Sequence, residues 1–195
     1  ILGSEQAGFI DSVGIDLYLK MLNDEVSRKN NIPIHEEEVN DSQPLLNVAT
    51  HIDDKYVSED QLKIEIHRKI NEIDSKESFA SIKNELEDRF GKLNEELIIY
   101  MYEEWFEKLA KKLKISNVRQ SKNSIELVFS GEVVSKLNVE EIFMDAFYIT
   151  NMFRFVSRGT NLIIVLDIIK LEKHPVYYLV ELLDKIYTKF GNSID

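Results

Sequence analysis

Three features of this 195-residue chain predict an α+β fold. Apolar residues recur at helical spacing through residues 58–114, the pattern turns to alternation after Ile115, and Pro175 and Gly191 frame a last helix. The expected architecture is an N-terminal helical appendage, a three-helix segment, then a small mainly antiparallel sheet covered by two helices. The expected divisions are 1–32, a loop plus helix; 33–46, an acidic linker; and 47–195, an α+β domain.

The elements follow in chain order. Gly3, Gly8 and their polar neighbours make a loop, and residues 10–29 carry Ile10, Val13, Leu17, Met21 and Leu22 at helical spacing. That helix ends near Asn30-Asn31-Ile32-Pro33, because proline cannot continue it and restricts the residue before it. The run from Pro33 to Pro44 is polar and holds Glu36-Glu37-Glu38, the composition of a solvated linker. Leu45 to Ile52 suits a short strand, and Asp53-Asp54 starts a turn. Ser58 with Gln61 suggests a capping box for a helix reaching about Ile73, with Leu62, Ile66, Ile70 and Ile73 on one face. Ser75 opens the next helix, which sets Phe79, Ile82, Leu86 and Phe90 on one side and stops at Gly91.

A long helix then runs from about Asn94 to Lys114, with a broad apolar set: Ile98, Ile99, Tyr102, Trp105, Phe106, Leu109 and Leu113. Beyond it, Ile125, Leu127 and Phe129 alternate after a turn at Ser121-Lys122-Asn123. Val139–Ile149 reads as a helix entered through Asn138, with Glu140 and Glu141 in its first turn. Phe153 and Phe155 alternate around Arg154, and residues 157–161 turn into Leu162–Ile169, apolar enough for a strand covered on both faces. The last helix starts at Pro175, carries Val176, Leu179, Val180, Leu183, Ile186, Tyr187 and Phe190, and is expected to stop at Gly191.

Composition narrows the function. With 44% apolar and 30% charged residues the chain folds rather than staying disordered, and no apolar run nears the roughly 20 residues of a membrane span. Absence of cysteine rules out disulfides and thiolate metal sites and fits a reducing cytoplasm. The start on Ile1, with no signal-peptide pattern, points to a piece of a longer protein. A net charge of −11 opposes DNA binding, which scales with the phosphates neutralised by Lys and Arg. The basic cluster Lys108, Lys111, Lys112 and Lys114 suits the C-terminal end of a helix dipole, and the aromatics Tyr100, Tyr102, Trp105 and Phe106 suit a core. A nucleic-acid-binding module built on those two groups is the alternative reading.

Catalytic patterns are missing. Gly3, Gly8 and Gly14 have neither the strand-turn-helix context nor the lysine of a phosphate loop. His35, His51, His67 and His174 show no metal-ligand spacing and read as surface or half-buried residues. No enzyme, metal or cofactor is expected in this chain.

The run Glu85-Leu86-Glu87-Asp88-Arg89-Phe90-Gly91 stands apart. On a helix Glu85, Asp88 and Arg89 share a side while Leu86 and Phe90 face the core. The plain expectation is an ion pair between Glu85 and Arg89 at i, i+4; a rigid mixed-charge patch would also suit docking to a partner. This run, with Ile52-Asp53-Asp54-Lys55-Tyr56-Val57 before it and Leu2-Gly3-Ser4-Glu5-Gln6-Ala7-Gly8-Phe9-Ile10 at the start, resembles the C-terminal end of bacterial transcription-repair coupling factors. The family usually has proline where Asp53 and Asn94 stand, and Ala7 and Phe9 replace a common Ser and His.

The resemblance implies that residues 1–32 are the tail of a translocase motor, with Gln6 in the motif that links ATP turnover to movement on DNA. It implies that 47–195 is a regulatory domain folding over an N-terminal UvrB-like module and masking the surface that recruits UvrA. Glu85, Asp88 and Arg89 match the positions expected in that contact. The parent would be a cytoplasmic ATP-dependent DNA translocase that displaces stalled RNA polymerase, with ATP and Mg in motor domains outside this chain. A scaffold touching RNA polymerase directly is a further alternative.

Overall fold

The computed structural model describes residues 52–195. The expected helix at 10–29, the linker at 33–46, Gln6 and residues 45–51 of the expected strand lie outside the described residues. The chain divides into two compact units, whose described parts are 52–105 and Phe106–Asp195.

The described part of the first unit holds two helices and the first turns of a third, which continues into the second unit. Asp53 builds the opening turn, accepting from Tyr56 N at 2.9 Å through its carbonyl and from Lys55 N at 2.9 Å through its side chain. It thereby shapes a turn without a proline at this position. Helix α1 (Asp60–Asn71) follows, entered through Glu59 without a side-chain cap. The expected Ser58 capping box does not form, because the helix starts beyond its reach. Helix α2 (Lys76–Phe90) is capped by Ser75, and Ser78 completes a reciprocal box in which each serine oxygen accepts the other's backbone N–H. A hydroxyl therefore does what glutamate usually does at that position. Gly91 ends α2 at φ +88°, a conformation that a side chain would strain.

Helix α3 (Glu95–Lys112) opens with Asn94 as an N-cap, its side chain accepting from Leu97 N at 2.8 Å. Its buried positions are Leu97, Tyr100, Met101, Trp105, Phe106, Leu109 and Ala110; of the predicted set Trp105, Phe106, Leu109 and the following Leu113 are buried, whereas Ile98, Ile99 and Tyr102 are only half-buried. Glu103, Glu104 and Glu107 are buried as well. The helix closes at Lys114, at φ 52°, where Ile115 N donates to Ala110 O.

The second unit holds a four-stranded antiparallel sheet in the order β1-β2-β4-β3: β1 (Asn117–Gln120), β2 (Ser124–Phe129), β3 (Phe153–Arg158) and β4 (Asn161–Asp167). Helices α4 (Gly131–Val134) and α5 (Val139–Ile149) connect β2 to β3, and α6 (Pro175–Ile194) ends the chain. The register sets Ile125, Leu127 and Phe129 beside Leu166, Ile164 and Leu162 on one face, all buried. On the opposite face Val128, Ile163 and Val165 form a small cluster with Val156. Strand β4 is therefore covered on both faces, as its unbroken apolar run requires.

Asn138 caps α5 through Glu141 N at 3.1 Å. Lys189 of α6 binds Asp145 at 2.7 Å and Glu141 at 2.9 Å, tying α6 to α5. Met144, Phe147 and Tyr148 of α5 remain exposed. Helix α6 has Pro175 in its first turn, as predicted, but runs through Gly191 to Ile194. A Cβ at Gly191 would come within 2.7 Å of the Tyr187 ring, so this glycine makes room for an aromatic and does not end the helix.

Candidate functional site

The site is built by the pairing of α1 with α2. Ile66 and Ile70 of α1 and Ile82 and Leu86 of α2 are buried, which leaves the remaining sides of both helices to polar residues. Each helix carries an acid followed four residues later by a base: Glu65 and Lys69 on α1, Glu85 and Arg89 on α2. The helices run antiparallel here, so unlike charges meet across them. Arg89 grips the Glu65 carboxylate with both terminal nitrogens, Nη1 to Oε1 and Nη2 to Oε2, the latter at 3.3 Å. Lys69 Nζ lies 3.3 Å from Glu85 Oε1.

The expected i, i+4 pair between Glu85 and Arg89 is therefore replaced by two bridges between helices. The reason is geometric: the planar fork of arginine matches a carboxylate facing it from another element. Glu85 adds only through-space attraction to Arg89. The hydrogen bond from Arg89 holds the Glu65 carboxyl below the usual glutamate range, helped by the charges of Arg89 and Lys69. Arg89 also lies over the Phe90 ring, 4.8 Å from its centroid. Tyr56 fastens the end of α2, its hydroxyl donating to Gly91 O at 3.0 Å, with Leu86 O at 3.5 Å. Burial pushes the Tyr56 phenol up, and Glu87 adds to the shift.

Among the three residues singled out from sequence, Glu85 and Arg89 thus join one network. Asp88 stands exposed and makes no ion pair among the described residues. The partners missed by the sequence reading are Glu65 and Lys69. Their signal was present: the same acid-to-base spacing as in α2, which complements itself when two helices pack antiparallel.

The other candidates take structural roles. Lys112 sits over the Tyr187 ring at 5.0 Å, and Lys114 donates to Ile194 O at 3.0 Å, so these cations of the basic cluster are engaged within the second unit. Phe79 packs against Tyr102 at 4.6 Å and Trp105 at 5.7 Å, which makes the aromatics a core. His67 corrects the expectation of a surface or half-buried residue: it is buried, with Nδ1 2.7 Å from the Tyr100 hydroxyl. His174 accepts from Val176 N and starts α6. No cluster of possible metal ligands occurs among the described residues, and no helix among them is long and apolar enough to cross a membrane.

Residues 46–141 match the TRCF domain. The chain is 32% identical over 145 residues to the transcription-repair-coupling factor of Staphylococcus haemolyticus, covering 73% of this chain and 12% of that protein. It is 40% identical over 91 residues to the protein of the same name in Staphylococcus aureus, covering 47% of this chain and 8% of that protein. It therefore spans only a small part of the length of these relatives. A crystal structure of the C-terminal domain of transcription-repair coupling factor superposes with a TM-score of 0.66 at 19% identity, covering 80% of this chain and 97% of that one. The chain carries a domain of the class found at the C-terminal end of such factors. It belongs to the transcription-repair coupling factor family.

Proposed function

We propose that this chain is the C-terminal regulatory part of an ATP-dependent DNA translocase that displaces stalled RNA polymerase and recruits nucleotide-excision repair. In this reading the chain is not itself an enzyme. ATP and Mg belong to motor domains elsewhere in the parent, and Gln6 lies in the motif that couples the motor to DNA. The domain acts as an autoinhibitory clamp: Glu85, Asp88 and Arg89 dock on an N-terminal UvrB-like module of the same protein and hide the surface that UvrA would take. Such a clamp works by contacts that differ between closed and open states.

The observation that carries the reading is the α1/α2 charge face, where Arg89 and Glu85 are held in place and Asp88 is left uncommitted at the surface. A fixed array of mixed sign favours one register with one partner over general adhesion. The net charge of −11 and the engagement of Lys112 and Lys114 weigh against the nucleic-acid alternative. The test is made in the full-length parent. Asp88→Arg is expected to raise UvrA binding, measured by surface plasmon resonance, with the ATPase rate of the motor serving as the folding control. Unchanged UvrA affinity in an active protein would contradict the clamp.

A further inference from the structure

We infer that Glu65 and Lys69 of α1 are positioning residues of the docking patch, holding Arg89 and Glu85 in the geometry a partner meets. The inference rests on the docking reading above and extends it to a helix outside the motif. An exposed arginine samples many rotamers, and each long side chain that must be frozen on association weakens binding by roughly two- to tenfold. Here the freezing is done before any partner arrives. Glu65 takes both terminal nitrogens of Arg89, and the Phe90 ring lies against the guanidinium at 4.8 Å. The guanidinium is thereby fixed in both plane and direction.

What remains to a partner is defined by this arrangement. The Nε–H of Arg89 and the outward N–H bonds of its terminal nitrogens are not used by Glu65. Glu85, held by Lys69 through one oxygen at 3.3 Å, keeps a second oxygen to offer. The charges of Glu65, Lys69, Glu85 and Arg89 cancel, and Asp88 adds an exposed carboxylate with no ion pair among the described residues. Glu87 is not part of this group, for Lys83 lies 4.0 Å from its carboxylate. The backbone under the group is fixed as well, by Tyr56 on Gly91 and by the serine box at the start of α2.

The test uses the 195-residue chain with Glu65→Ala, Glu65→Gln and Lys69→Ala, titrated against the UvrB-like module of the parent. Order of the Arg89 side chain is followed in parallel by 15N relaxation of its Nε. Glu65→Ala is expected to loosen Arg89 and weaken binding by roughly two- to tenfold, with the thermal midpoint little changed. Glu65→Gln, which keeps one acceptor, should fall between, and Lys69→Ala should weaken binding without loosening Arg89. Unchanged or tighter binding in Glu65→Ala, with Asp88→Arg still harmful, would overturn the positioning role and leave docking intact. If neither Asp88→Arg nor Glu65→Ala alters the affinity, the docking reading and this inference both fall.

Discussion

Strand β4 and the α1/α2 face show two ways in which this chain uses a line of side chains. Along β4, Leu162 to Leu166 are all buried, and their neighbours in β2 complete the layer. Along the helices Glu65, Lys69, Glu85 and Arg89 keep 33–41% of their side-chain surface and bond to each other. The first arrangement takes its free energy from water exclusion, which is large for each residue and indifferent to partners. The second contributes little to stability, because surface ion pairs are weak, but it fixes charges in space. Under the proposed docking, stability and recognition rest on different residues, so they can be perturbed separately.

That separation is sharpened or broken by substitution. The largest effect is expected from Ile164→Ala or Leu127→Ala, each losing about 2–5 kcal/mol of unfolding free energy in chemical denaturation. A loss below about 1 kcal/mol would mean that the sheet core is not what the burial pattern says. Ser75→Ala removes the cap and one half of the box at the start of α2 and should cost about 1 kcal/mol. Tyr56→Phe deletes the hydroxyl bond to Gly91 O and should cost about 0.5–1.5 kcal/mol in the same assay.

The acid side of the pH profile gives a smaller signal. Because the hydrogen bond from Arg89 depresses the Glu65 carboxyl, the Glu65 contribution is present above its unfolded value, about 4.3. It fades as pH falls through the lower folded value. Carboxyl carbon shifts should show Glu65 titrating below the ordinary glutamate range, and returning to it in Arg89→Ala. An ordinary Glu65 titration in the unmodified chain would show that the bridge does not persist in solution. Smallest of all, Asp88→Arg should leave the thermal midpoint unchanged, since nothing in the described structure bonds to that carboxylate.

Much of this was legible in the sequence, for physical reasons that differ by element. Helix α5 and its Asn138 cap follow from local chemistry, and so does the β3-β4 hairpin around Gly159. The order of strands in the sheet, with β4 between β2 and β3, is a tertiary outcome that no local signal encodes. Helix α3, read as broadly apolar, is buried on more than one side, Glu103 and Glu107 included, so periodicity does not single out one inner face. Gly191 misled because a glycine that makes room for Tyr187 looks in sequence like one that ends a helix. In the candidate site Arg89 was matched to the wrong acid: it was assigned to Glu85 and binds Glu65. Intrahelical spacing is visible in sequence, whereas the facing helix that supplies Glu65 is not.

The most direct measurement is calorimetric titration of this chain with the UvrB-like N-terminal module proposed as its docking partner, repeated with Asp88→Arg. Saturable binding to the unmodified chain is expected, with a clear loss of affinity in the variant at unchanged thermal stability. Absence of binding to the folded chain, or equal affinity for the two proteins, would contradict the proposed docking.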